Sequence, residues 1–146
     1  MRRLALRLRM AAGILAVPVG VSAQQAAADS VRPTRAGVYT PAQAARGRSL
    51  YELNCTSCHT QSSHSGPLFT AKWEGRLLWD LYHYVSESMP KSEPGSLTPD
   101  EYAGLVAYLL KMNAMPAGTE ELPADSVALK KIRIEFAAKR DSTQPR

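Results

Sequence analysis

The chain has 146 residues, 18 Lys and Arg against 13 Asp and Glu, a formal charge of +5, 45% hydrophobic residues and two cysteines. That length specifies one domain, and a basic excess points to a nucleic-acid or membrane-surface binder only where the charges sit on the folded part. Here they do not. Arg2, Arg3, Arg7 and Arg9 stand in the first nine residues with no acid among them, and Met10 to Val21 carries no charge. These are the n-region and h-region of a secretory signal, closed by the small residues of Val21-Ser22-Ala23. Its twelve uncharged residues span about 18 Å as a helix, short of the roughly 30 Å of hydrocarbon, so residues 1–23 are a cleaved signal peptide and not an anchor. Cleavage after Ala23 lowers the charge from +5 to +1. A periplasmic protein with no nucleic-acid partner and no transmembrane anchor is expected.

Residues 24–39 are polar, with Ala and Pro and no apolar period, and read as a flexible N-terminal arm. Thr40-Pro41-Ala42-Gln43 is a helix start, with an N-cap, Pro at the first position and Gln three residues on. This helix should run to about Leu53 with Ala44, Gly47, Leu50 and Tyr51 along one face. Glycine inside a helix costs about 1 kcal/mol against Ala, so Gly47 implies close approach by another element.

Both cysteines fall in Cys55-Thr56-Ser57-Cys58-His59. A disulfide across so small a loop would constrain little of the unfolded chain. A thioredoxin-like redox pair needs an upstream strand, which is missing, and the spacings of Cys55, Cys58, His59, His64 and His83 do not fit a zinc finger or ribbon. C-x-x-C-H is the signature of covalent haem attachment. Two thiols one helical turn apart can reach the two vinyl groups of one porphyrin, and the adjacent imidazole can then ligate the iron. Cys55 and Cys58 are the expected thioether residues and His59 the expected iron ligand.

Downstream, Thr60 to Gly66 reads as a loop, and Gly66-Pro67-Leu68-Phe69 as irregular chain wrapping a cofactor. A second helix is expected from about Glu74 to Glu87, with Leu77, Leu78, Leu81, Tyr82 and Val85 at spacings of three and four. Met89-Pro90 and a turn-rich stretch, Lys91 to Ser96, follow. Thr98-Pro99-Asp100-Glu101 then combines N-cap, first-position Pro and capping-box Glu ahead of the apolar face Tyr102, Leu105, Val106, Leu109 and Leu110. Asn113 and Pro116 stop this last helix. The pattern is all-α: three to four helices around one covalently attached haem.

A second axial ligand must come from His64, His83, Met89, Met112 or Met115. His64 is five residues past His59 and reads as a solvated loop histidine, His83 lies opposite the apolar stripe of its helix, and Met112 is an ordinary helix residue. Of the remaining Met-Pro pairs, Met89 is favoured because it stands in a loop between helices, whereas Met115 follows the last helix and should lie farther from the iron.

These residues resemble class I c-type cytochromes over about residues 40 to 116, through Gly47-x-x-x-Tyr51 ahead of the haem motif, the Met89-Pro90 loop and Ala107-Tyr108-Leu109. The resemblance implies a small all-α domain whose first and last helices cross, with Gly47 admitting Tyr108. It implies that the Pro67 carbonyl holds the second ring nitrogen of His59, fixing its tautomer and raising its basicity. A narrower likeness, through Phe69, Trp73, Gly75, Leu81-Tyr82, Met89-Pro90, Pro94 to Leu97 and Pro116 to Pro123, is to cytochrome domains associated with bacterial quinoprotein dehydrogenases. It implies a single-electron carrier with one His/Met-ligated haem c, passing electrons from such a dehydrogenase towards a terminal oxidase. Leu68, Phe69, Trp73, Leu77, Leu81, Tyr82 and Leu105 are the expected haem pocket, and Trp73 or a nearby tyrosine an expected propionate partner.

Two other readings keep the haem: a sensor or peroxidase with a labile sixth ligand, and a fixed subunit of a larger oxidoreductase complex. The C-terminal extension, residues 117–146, bears on the second. Asp125-Ser126 can cap a helix, while Ile132-Ile134-Phe136 alternates like a strand; the segment either wraps back over the domain or docks a partner. Arg46, Arg48, Lys72, Arg76 and Lys91 are candidates to ring the haem edge and steer an acidic partner.

Overall fold

Thr40 is extended, its hydroxyl accepts from the Gln43 N–H at 3.1 Å, and Pro41 opens the helix, so the start signal read from the sequence is realised atom by atom. A computed structural model describes residues 30–136, and the expected signal peptide lies outside the described residues. In chain order these form strand β1 (Arg32–Pro33), a 3-10 turn (Thr34–Ala36) and helix α1 (Pro41–Asn54). A second 3-10 turn (Gln61–His64) leads to α2 (Gly66–Trp73), α3 (Leu78–Ser88), α4 (Pro99–Met112), the single turn α5 (Ser126–Leu129) and strand β2 (Ile132–Arg133). The all-α expectation holds, the departures among the described residues being the two-residue parallel ladder of β1 with β2 and an isolated antiparallel bridge of Leu77 with Arg133.

Helices α1 and α4 form the centre. The capping box at the start of α4 is complete: the Thr98 N–H donates to Glu101 Oε2 at 2.7 Å, and the Glu101 N–H donates to Thr98 Oγ1 at 3.4 Å. The Thr98 N–H, and the Thr98 hydroxyl that donates to the same carboxylate oxygen at 2.9 Å, hold the Glu101 carboxyl below the usual carboxylate range. Residues 102 to 110 of α4 are all buried. At the crossing the backbones themselves meet: a Cβ on Gly47 would stand 1.8 Å from the Gly104 carbonyl oxygen. The expected partner of Gly47, Tyr108, lies one turn further along α4 and meets Tyr51 edge-on, with ring centroids 5.4 Å apart. The close approach requires glycine at position 47 alone, since a Cβ on Gly104 would meet Gly47 only at 3.6 Å, an ordinary contact.

Three sequence expectations are corrected. Gly66 to Phe69 is not irregular chain but the start of α2, because Pro67 sits at the opening position, where its missing N–H has no intrahelical partner to lose. The next helix begins at Leu78 and not Glu74, since Gly75 takes a left-handed conformation (φ +78°) and donates to the Ile134 carbonyl at 2.8 Å. The arm is folded from residue 30 onward: Thr34, Val38 and Tyr39 are buried, and the Tyr39 hydroxyl donates to the Met115 carbonyl at 2.6 Å.

The tail uses both of its possible conformations in turn. Asp125 caps α5 through the Ala128 N–H at 2.8 Å, and Ile132 then pairs beside Arg32. Up to Phe136 it wraps the domain, with Leu122, Leu129, Ile132 and Ile134 in the same core as α4. Gln43 pins it: the buried amide donates to the Leu122 carbonyl at 2.8 Å and accepts the Leu122 N–H at 2.7 Å.

Three substitutions test this packing. Gly47→Ala should destabilise the protein by about 3 kcal/mol or more in denaturant unfolding, because a rigid backbone carbonyl occupies the Cβ position. Gly104→Ala should lie within about 1 kcal/mol of wild type, on the stabilising side, because its Cβ would meet only ordinary contacts near 3.6 Å. Gln43→Ala should cost about 2 to 4 kcal/mol by the same measurement, since both polar groups of Leu122 lose their partners inside the protein.

Candidate functional site

The C-x-x-C-H segment begins where α1 ends. The Cys55 N–H still donates to the Tyr51 carbonyl at 2.9 Å, and the Cys55 carbonyl accepts from Cys58 at 3.1 Å and His59 at 2.8 Å. This last turn gathers both free thiols and the imidazole onto one wall of a cavity of ≈ 440 Å³. Phe69 and Trp73 come from α2, Leu81 and Val85 from α3, Leu105 and Leu109 from α4, and Met89 from the loop after α3. Burial pushes the Cys55 thiol up, so at neutral pH it carries its proton.

Of the expected site residues, Cys55, Cys58, His59, Phe69, Trp73, Leu81 and Met89 share this cavity, together with Leu68 and Leu105. Tyr82 and Leu77 stand outside it. Tyr82 turns toward α4, where its hydroxyl donates to the Pro99 carbonyl at 3.2 Å and its ring meets Tyr102 edge-on. Pro67 is exposed at the start of α2 and also stands outside the lining, its carbonyl in the first turn of a helix, where it serves the backbone. Met89 is anchored from α4 through its carbonyl, which accepts from the Tyr102 hydroxyl at 2.7 Å. Met115 is packed under Tyr39, and the exposed His83 lies flat on Trp79; both are outside the cavity lining, as is Met112.

The reading of His64 as a solvated loop histidine is corrected. It is half-buried, lines the cavity, contacts the Tyr51 hydroxyl at 2.9 Å through Nδ1 and lies 4.5 Å from the His59 ring. Burial is the main cause holding its imidazole below the ordinary histidine range, with His59 and Lys72 adding to it. Composition hid this residue, since Ser and Gly on both sides read as solvent. The Tyr51 hydroxyl that engages it gave no signal along the chain.

The basic candidates separate as well. Lys72 and Lys91 border the cavity, with Lys72 Nζ 4.0 Å from the Tyr84 ring centroid and 4.9 Å from that of Trp73. Arg46, Arg48 and Arg76 stand outside the lining in exposed ion pairs with Glu121, Glu52 and Asp80.

The donor set and the wall fit a haem. Two thiols one turn apart meet the requirement of double thioether attachment, an imidazole and a thioether meet that of axial ligation, and the remaining lining is mostly aliphatic and aromatic. Among the described residues, no group of three or more His, Cys, Asp or Glu side chains is placed to hold a bare metal ion. No helix among them is long and apolar enough to cross a membrane.

Comparison with known proteins bears on the same segment. Residues 42–109 match the family model described as cytochrome c oxidase, cbb3-type, subunit III. A cytochrome bc1 complex cytochrome c subunit of Corynebacterium diphtheriae is 31% identical over 84 residues, covering 53% of this chain and 30% of that protein. The corresponding subunit of Corynebacterium efficiens is 27% identical over 88 residues, covering 56% of this chain and 30% of its own length. The chain thus spans under a third of the length of these curated relatives, and no solved structure matches it significantly. The mostly helical architecture, with crossed helices α1 and α4 and the matched segment 42–109, is consistent with a small all-α cytochrome c fold.

Proposed function

We propose that the chain is a single-electron carrier holding one haem c, attached through Cys55 and Cys58 and ligated by His59 and Met89. The observation that carries this reading is the meeting of both thiols, His59 and Met89 on one apolar cavity, with Met115 and His83 outside it. The haem, when bound, supplies a reversible one-electron couple at its iron. The residues set the terms of that couple. Met89 offers a soft thioether that favours ferrous iron, and Phe69, Trp73, Leu81, Val85 and Leu105 exclude water, which disfavours the more highly charged ferric state. Tyr102 fixes the Met89 loop by a bond to its carbonyl, so the sixth ligand is held and not labile, which supports transfer over ligand binding.

The family model and the names of the relatives support placing the protein among the redox partners of a respiratory complex. Residues 1–23 support export, so the site of action is the periplasm. The donor we favour is a quinoprotein dehydrogenase and the acceptor a terminal oxidase, on the sequence likeness given above. Lys72 and Lys91 at the cavity rim favour an acidic docking face on the partner.

Optical spectra of exported protein in both redox states provide the test. The expected result is a narrow ferrous α band and a weak near-red ferric band from methionine–iron charge transfer. Met89→Ala should abolish the near-red band and lower the reduction potential, while Met115→Leu keeps both; the reverse pattern would overturn the ligand assignment. Cys58→Ser should leave a single thioether, seen as a red-shifted α band. Rapid carbon monoxide binding by the reduced wild type would favour the sensor or peroxidase reading.

A further inference from the structure

We propose that Phe136, carried by the C-terminal tail, is a positioning residue for the α2 wall of the cavity: it holds Phe69 against the cofactor, keeps water from that side and thereby raises the reduction potential. The proposal rests on the reading of the cavity as the seat of a His/Met-ligated haem. Phe69 lines the cavity and is itself only 4% exposed. Its ring meets Phe136 edge-on, with centroids 6.2 Å apart and planes at 74°, and Phe136 is not part of the lining, so it covers Phe69 from outside. Phe69 in turn lies 6.3 Å from Trp73, the other aromatic residue that α2 gives to the cavity.

This wall depends on its surroundings. Helix α2 has eight residues, too few to be stable alone, so what packs against it sets where Phe69 and Trp73 stand. The tail fixes the turn that follows Trp73. The Gly75 N–H donates to the Ile134 carbonyl and the Ile134 N–H to the Arg76 carbonyl, each at 2.8 Å, and the Arg133 guanidinium donates to the Gly75 carbonyl at 2.7 Å. The Phe136 N–H itself donates to Glu74 Oε2 at 3.0 Å.

The residue before Phe136 is locked from the other side. The fully buried Thr34 hydroxyl accepts the Glu135 N–H at 3.0 Å and donates to the Glu135 carbonyl at 3.1 Å. The Phe136 ring is thus delivered by bonds to two separate segments, the turn after α2 and the 3-10 turn after β1. Removing that ring opens one side of Phe69 to solvent. Water near the haem favours the more highly charged ferric state, so the potential falls. Phe69 and Phe136 are both uncharged, and a shift on truncating the ring cannot come from a lost charge.

The test uses the haem-loaded protein. Phe136→Ala should lower the reduction potential while the ferrous α band and the near-red ferric band persist. Phe136→Leu, which refills part of the volume, should recover most of the shift. Thr34→Val, which frees Glu135 and leaves the ring in place, should move the potential in the same direction by less. Gln43→Ala loosens the tail at Leu122, away from the cavity, and should weaken the protein in denaturant with no change in potential. An unmoved potential in Phe136→Ala, or an equal fall in Gln43→Ala, would overturn the positioning role. Loss of the near-red band in Phe136→Ala would also overturn it, because the tail would then be holding the ligand loop and not the wall. Absence of both bands in wild type would instead overturn the ligation on which the proposal rests.

Discussion

The contact on which the rest of the structure depends is that between the backbones of Gly47 and Gly104. With no side chain on Gly47, α1 and α4 approach to the limit set by their main chains, and one turn further on Tyr51 of α1 meets Tyr108 of α4. The C-x-x-C-H turn and one wall of the candidate site are placed from that crossing. Cys55, Cys58 and His59 continue the last turn of α1, Leu105 and Leu109 of α4 form the floor, and Tyr102 of α4 reaches out to hold the Met89 loop. A wider crossing would separate the haem-binding turn from that floor.

Around this pair the remaining elements are tied by a few buried polar bonds and not by regular structure. Gln43 of α1 grips both backbone groups of Leu122, Tyr39 caps the Met115 carbonyl, and Thr34 both accepts from the Glu135 N–H at 3.0 Å and donates to its carbonyl at 3.1 Å. In a buried setting each such bond is worth keeping mainly because its loss would strand a polar group. The tail they secure reaches the functional cavity: Phe136 meets Phe69 edge-on at 6.2 Å, and Ile134 exchanges bonds with Gly75 and Arg76 at the turn between α2 and α3. The C-terminal extension thus supports the outer wall of the cleft as well as covering hydrophobic surface.

The cavity is built asymmetrically in its chemistry. Both histidines of the lining, His59 and His64, lie on the side of the C-x-x-C-H turn, where Tyr51 contacts His64, and the walls from α2, α3 and α4 are mostly aliphatic and aromatic, with Lys72 and Lys91 at the rim. A haem held there as proposed would have its ferrous state favoured by the apolar wall and the Met89 thioether.

Much of this was written in local sequence. Thr40-Pro41 and Thr98-Pro99-Asp100-Glu101 specify helix starts because capping is a matter of neighbouring atoms, and C-x-x-C-H specifies its cofactor because the spacing of two thiols and an imidazole is itself the binding geometry. Apolar spacing marked Leu81 and Leu105 for the interior, and loop position marked Met89 over Met115. What the chain alone left open depends on contacts between distant segments. Gly104 as the partner of Gly47, the folding of residues 30–39 beneath Met115, the placing of Tyr82 against α4 and the burial of His64 beside His59 each require a neighbour dozens of positions away or a turn whose direction composition does not encode. Local hydrogen bonding determined where the helices begin and how the C-x-x-C-H turn continues α1. Only the tertiary crossing decided which groups surround His59, because a side chain's environment is set by the helix that packs against it and not by its neighbours in the chain.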